Sequence, residues 1–160
     1  MTMSTKLARC LSRTESRFET VRRPGRPGTP ADATAMPAPS IPADRLARTV
    51  LLEDDKGYLA AVIPASHRLK LAELREQTGR KLAYAHADGV REVFRDCDQH
   101  ALPPVGMAYG TLTWIDDSLL AHDDVYFEAG DREALVHMNV DDFSQLMTDA
   151  RRGHFAHRVM

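Results

Sequence analysis

A chain of 160 residues, 43% hydrophobic and 28% charged, has room for one compact domain and too little for two well-built ones. Its formal net charge of -2 excludes a wholesale polycation, so any nucleic-acid contact must use a local basic patch. No apolar run has the length a membrane span needs, and Cys10 and Cys97 match no metal spacing, which reads as two thiols of a reducing compartment.

Leu7, Ala8, Cys10 and Leu11 recur at helical spacing and predict a short amphipathic helix over Thr5–Arg13. A strand over Phe18–Val21 follows. The first thirty residues carry seven Lys or Arg against Glu15 and Glu19, a bias shared with organellar transit peptides. The apolar stretch of a secretory signal is missing, and a cytoplasmic address is the simpler reading. Between Arg23 and Pro42 the composition turns to Pro, Gly, Ala and Thr, with six of the nine prolines. Proline lacks a backbone donor and fixes φ, so this segment is a connector and not the interior of a sheet.

Thr49–Leu52 and Gly57–Ile63, joined by Glu53-Asp54-Asp55-Lys56-Gly57, predict a β-hairpin. Ser66 precedes a helix over Leu69–Thr78, closed by Gly79 as a left-handed cap. Lys81–Ala85 reads as a strand, and Asp88 as the cap of a helix whose Val90, Val93 and Phe94 share one face. Thr111–Ile115, Val125–Glu128 and Leu135–Met138 read as three more strands. Phe143, Leu146, Met147 and Ala150 then follow i, i+3, i+4, i+7, a final helix that Gly153 stops. Strands scattered among short helices, without regular βαβ alternation, predict an α+β (mixed α/β) domain.

The order Ala47-Arg48-Thr49-Val50, His100-Ala101-Leu102-Pro103-Pro104-Val105-Gly106, Thr113-Trp114-Ile115-Asp116-Asp117, Tyr126-Phe127-Glu128-Ala129-Gly130 resembles the YbaK/EbsC-like aminoacyl-tRNA deacylase family. That family includes free-standing prolyl-tRNA-editing proteins. The resemblance covers Arg45–Gly153 well and the first forty-four residues loosely. It implies a barrel-like mixed β-sheet with helices packed outside, occupying residues 45–153. Residues 1–44, part of that domain or appended to it, are expected as an N-terminal helix, strand and connector, with a short helix around Asp32–Ala38, and residues 154–160 as a tail. The implied activity is hydrolysis of the ester of a mischarged tRNA, with no metal or cofactor. The implied partner is the tRNA acceptor end, with a translation-factor or synthetase association and no membrane.

Hydrolysing an aminoacyl ester with water puts negative charge on the carbonyl oxygen, and fixed donors aimed at it lower the barrier most. The resemblance places Arg48 where the family keeps a lysine at the start of a strand. Arg keeps the charge but is bulkier and holds its proton at neutral pH, so a role on the carbonyl, the ribose or the terminal phosphate is open to it. His100 stands where the family's GxxxP loop has glycine, while Pro104 is kept. The backbone amides of that loop are expected on the substrate carbonyl. Glycine there permits positive φ and close approach, and His100 offers an acid or base in exchange. Gly106 and Gly130 are candidates for backbone approach to the amino acid or adenosine, with ordinary turn chemistry as the alternative. Thr49, Ala101, Asp116 and Glu128 are candidate substrate contacts, Asp116 for the α-amino group. Arg151, Arg152 and Arg158, with His154 and His157, form a small basic end.

Three readings stay open. The first is an editing hydrolase of the prolyl-tRNA class. The second is a catalytically degenerate tRNA- or nucleotide-binding module of the same fold, to which the changes at Arg48 and His100 point. The third is an accessory domain.

Overall fold

The structure, a computed structural model, describes residues 3–22 and 41–159. In chain order the elements are α1 (Thr5–Arg13), β1 (Glu19–Arg22), β2 (Leu46–Asp54), β3 (Gly57–Pro64), β4 (His67–Leu69), α2 (Leu71–Thr78), β5 (Ala83–Tyr84), α3 (Ala87–Val93), β6 (Leu112–Asp116), β7 (Asp124–Glu128), β8 (Ala134–Asn139), α4 (Val140–Leu146), β9 (Arg151–Gly153) and β10 (Ala156–Arg158). Eight strands form one mixed sheet in the order β1-β8-β7-β2-β3-β6-β9, with β5 also paired to β2, and β4 pairs with β10 in a separate ribbon. The expected mixed sheet with helices outside is therefore what the chain forms.

Strand β3 explains the layering. Its sequence, Gly57-Tyr58-Leu59-Ala60-Ala61-Val62-Ile63-Pro64, is almost continuously apolar because both of its faces are covered. On one face Val62 joins Ala47, Phe127 and Ile115 under Leu7 and Leu11 of α1 and Phe143 and Leu146 of α4. On the other, Leu59, Ala61 and Ile63 pack with Leu74 of α2 and with Leu69, Phe155 and Ala156. A smaller cluster of Leu51, Phe94 and Leu102 closes the α3 end.

Several expectations are corrected. The hairpin is right, but β2 and β3 run longer, to a turn where the Lys56 amide is held by the Asp54 carboxylate at 2.9 Å. The helix expected from Leu69 starts at Leu71, because His67–Leu69 is a strand paired to the C-terminal segment; Gly79 does cap it, at φ +67°. Asp88 lies inside α3, behind an N-cap at His86, and pairs with Arg91. The last helix ends at Leu146, and Gly153 sits in β9, where a side chain would strike Gln77 and Trp114. Residues 154–159 are no loose tail: Phe155 is fully buried and Ala156–Arg158 pairs with β4. The helix expected around Asp32–Ala38 and most of the proline-rich connector lie outside the described residues.

Candidate functional site

The centre of the sheet carries a window along one edge of β2. Leu46 and Ala47 pair with Tyr126 and Phe127 of β7, and Leu52 and Glu53 pair with Tyr84 and Ala83 of β5. Between them, on that edge, no described strand pairs with Arg48, Thr49 or Val50, which are held by β3 on the other edge alone. Side chains alternate along a strand, so Arg48 and Thr49 leave it on opposite faces. Thr49 lies between Ala47, which clusters with Val105, and Leu51, which clusters with Leu102; it therefore faces the 101–105 loop. Its hydroxyl oxygen is enclosed and has no hydrogen-bond partner among the described residues. A buried hydroxyl without a partner is uncommon, since leaving one unsatisfied costs roughly 1–3 kcal/mol.

Arg48 is opposite Ile63, which belongs to the α2-side cluster. Arg48 is exposed, and among the described residues it makes no hydrogen bond or ion pair. By this alternation the Arg48 side chain starts on the face of β2 away from the 101–105 loop. Arg48 borders the window from the other face.

The loop itself is docked on Gly130. The Gly130 amide donates to the Ala101 carbonyl at 2.8 Å, and the Asp98 amide donates to the Gly130 carbonyl at 2.9 Å. Gly130 has φ +89°, and a Cβ there would lie 2.9 Å from Ser4 Cβ and 3.1 Å from Cys97 Sγ. Asp98 then takes two loop amides, His100 on its carboxylate at 2.8 Å and Ala101 on its carbonyl at 2.9 Å. Pro103 and Pro104 have no N–H. Leu102, and Val105 after the prolines, thus present amides with no partner among the described residues, in the stretch where the carbonyl-binding amides are expected. His100 is exposed and does not have positive φ, so this backbone does not require glycine at that position.

A polar knot fixes the loop from behind. Asp96 accepts from Tyr109 OH at 2.5 Å, Ser4 Oγ at 2.9 Å, the Lys6 amide at 3.2 Å and Cys97 Sγ at 3.2 Å. Burial works to raise the Asp96 pKa, but these donors, led by Tyr109, outweigh it and hold the carboxyl at about 2. Burial pushes the Cys97 thiol up to about 12, which leaves it protonated and unsuited as a nucleophile. Ser4 also caps α1, accepting from the Leu7 amide at 3.2 Å, so the N-terminal helix and the loop share one anchor. Sequence reasoning singled out none of Ser4, Asp96, Asp98 and Tyr109. The one local hint was Asp98 two residues before His100, the spacing of an Asx turn.

Other candidates have structural duties. Asp116 is 0% exposed; it accepts from the Phe155 and Ala156 amides at 2.8 and 2.9 Å and from the Ser118 amide at 3.2 Å. Its carboxylate pins the C-terminal segment to the end of β6. Gly106 is glycine for packing: a Cβ would lie 2.4 Å from Thr113 Oγ1 and 2.9 Å from Ala60 Cβ. Pro104 is buried beside it, its carbonyl accepting from the Gly106 amide at 3.0 Å. Glu128 is buried at the end of β7, one residue past the last β2–β7 pair, and so neighbours Arg48 along the two strands.

A mixed sheet with a docked proline loop beside an unpaired stretch of the β2 edge defines a class that can be tested against known proteins. The aminoacyl-tRNA editing domain model matches residues 28–146, and the chain belongs to that family. No curated protein matches it. Among solved structures, a candidate trans-editing enzyme for prolyl-tRNA synthetase superposes with a TM-score of 0.77 at 19% identity, over 96% of each chain. A scaffold used for computational epitope grafting superposes at 0.78, with 19% identity, over 96% of this chain and 97% of that one. A candidate signal-transduction protein from Marinobacter aquaeolei VT8 gives 0.75 at 23% identity; 97% of this chain matches, spanning only 31% of that longer protein. At these identities the structures establish the fold. Among the described residues, no helix is long and apolar enough to cross a membrane.

Proposed function

We propose that this protein hydrolyses the ester of a mischarged aminoacyl-tRNA in trans, in the prolyl-tRNA-editing class. The observation that carries the reading is the window on β2, where an enclosed Thr49 hydroxyl without a partner faces the loop bearing the free Leu102 amide. In this reading the 3′ end enters the window and water attacks the carbonyl carbon. The developing oxyanion takes the Leu102 N–H and the Thr49 O–H, donors that need no rearrangement when charge appears. Burial by Leu51 and Leu102 keeps the site poor in water and strengthens both bonds. His100, exposed at the head of the loop, is the candidate to relay the proton to the departing ribose oxygen. Arg48, on the far face of the strand, is left to the ribose or the terminal phosphate.

One observation favours the second reading, a binding module without turnover. Asp98 and two prolines leave the loop fewer free amides than its length offers. A deacylation assay over a panel of mischarged tRNAs separates the two. Turnover well above the spontaneous rate for at least one of them supports the hydrolase; salt-sensitive binding of tRNA without turnover supports the module.

A further inference from the structure

The charge of this chain is divided. Residues 67–81 and 151–160 hold eight Lys or Arg against two carboxylates, whereas residues 116–149 hold ten carboxylates and one Arg. A net charge of -2 conceals this completely. The fold gathers the two basic segments on one surface. Strand β10 pairs with β4, the Lys70 amide donates to the Phe155 carbonyl at 2.7 Å, and Gln77 of α2 donates to the His154 carbonyl at 2.7 Å.

Within that surface some cations are already answered. Arg158 is held by Asp44 at 2.9 Å, His157 by Glu73 at 2.7 Å and Arg80 by Asp54 at 2.6 Å. Arg68, Lys70, Lys81 and Arg151 are exposed and have no carboxylate partner among the described residues. Arg68 and Lys70 share the outer side of the ribbon, since Leu69 between them points into the core. Arg151 is paired with Trp114, which packs on the α2-side cluster, and so shares this face. Lys81 lines a groove of about 610 Å³ at the end of α2 with Arg75, Arg80 and one carboxylate, Glu76. Arg48 leaves β2 on the same side, opposite Ile63. The free cations therefore lie on the face of the sheet from which Arg48 emerges, with Arg151 on β9, three strands beyond β2.

We propose that the β4–β10 ribbon with the end of α2 is the docking surface for the sugar-phosphate backbone of the tRNA acceptor stem, a proposal that rests on the editing reading above. A substrate whose 3′ end enters the window must lead its backbone away across the neighbouring surface, with a negative charge at each nucleotide. The unanswered cations lie on the side where Arg48 emerges. Each phosphate neutralised releases counterions, so binding through about four of them should weaken by roughly 10²-fold between about 50 and 200 mM salt.

The test uses the full chain, uncharged tRNA for affinity, and mischarged tRNA and the matching 3′-aminoacyl-adenosine for hydrolysis. The triple variant Arg68→Glu, Lys70→Glu, Arg151→Glu should bind tRNA at least tenfold more weakly at low salt. Its log–log salt slope should be shallower by about three. Hydrolysis of aminoacyl-adenosine, which has no phosphate, should stay at the level of the starting protein. Arg9→Glu with Arg17→Glu, on and just after α1, should leave affinity within about twofold. An unchanged tRNA affinity and slope in the triple variant overturns the proposal and leaves the ribbon to an acidic protein. An equal loss in the Arg9/Arg17 variant also overturns it, since net charge alone would then act. Ribbon-dependent tRNA binding with no turnover of either substrate upholds the surface while removing the hydrolase reading.

Discussion

Gly130 and Ala101 are joined by a 2.8 Å hydrogen bond from the glycine amide to the alanine carbonyl, and this bond seats the proline loop against the end of β7. The glycine is required twice over, by its φ of +89° and by the 2.9 Å approach of Ser4 Cβ.

Gly130→Ala should therefore lower the free energy of unfolding by about 2–3 kcal/mol, combining left-handed backbone strain with displacement of Ser4 and Cys97. Urea denaturation reads this directly. A loss under about 0.5 kcal/mol would show that the turn relaxes freely and that the loop is not held there.

Thr49→Val keeps the shape of the side chain and removes its unpartnered hydroxyl. The variant should be more stable, by about 1 kcal/mol, because a buried unsatisfied group is gone. If Thr49 donates to the oxyanion, deacylation should fall by about 10²-fold at the same time. A stable variant with full turnover removes Thr49 from the site.

Arg48 offers a split between binding and chemistry. Because it leaves β2 on the face away from Leu102, Arg48→Ala should raise KM for mischarged tRNA about tenfold with kcat little changed, and Arg48→Lys should recover most of the loss. A fall in kcat of about 10²-fold at constant KM would instead put the guanidinium on the reacting carbonyl.

Asp116→Ala removes the acceptor for the Phe155 and Ala156 amides, both buried. Unfolding free energy should drop by about 3 kcal/mol or more, and these two amides should lose protection from hydrogen exchange before β6 does. Intact protection together with lost substrate binding would return Asp116 to the list of substrate contacts.

The pH dependence of stability should show His137. Its ring bridges Glu19 at 2.6 Å and Asp124 at 2.7 Å. Burial opposes protonation there, but the two carboxylates outweigh it and raise the pKa above its ordinary 6.5. A raised value in the folded state means that the stabilisation is whole below 6.5 and is lost as pH climbs through the raised value. Asp124 is shifted the other way; burial is outweighed by His137 and Arg45, so its share is present above the usual 3.8 and lost in acid. The stability gap between the protein and His137→Gln should therefore narrow as pH rises from 6.5 upward. A gap constant across that range would mean that the bridge does not depend on the proton.

The helix over Thr5–Arg13 and the strands of the main sheet were legible because each carries its own period, 3.6 for Leu7 and Leu11 or a short aliphatic run for β3 and β8. His67–Leu69 and Ala156–Arg158 were not, because three-residue strands have no period to read and exist only by pairing across about ninety positions. The last helix was overextended for a related reason. Ala150 continues the helical spacing, but β9 gains more from pairing with β6 than from a further turn.

The ordered motifs alone indicated the family, set Arg48 and the 100–106 loop together as the catalytic candidates, and offered Thr49, Asp116, Glu128 and Gly130 as substrate contacts. Spacing along the chain could not say on which side of β2 a residue emerges, which carboxylate is already occupied, or which amide remains free. Those are outcomes of packing. The alternation of β2 sends Arg48 away from the loop, the return of Phe155 takes up Asp116, and Asp98 takes the amides of His100 and Ala101, leaving those of Leu102 and Val105. Sequence sets which groups are available. The tertiary structure decides which remain unpaired, because a polar group buried during folding is first satisfied by whatever partner the fold brings within reach.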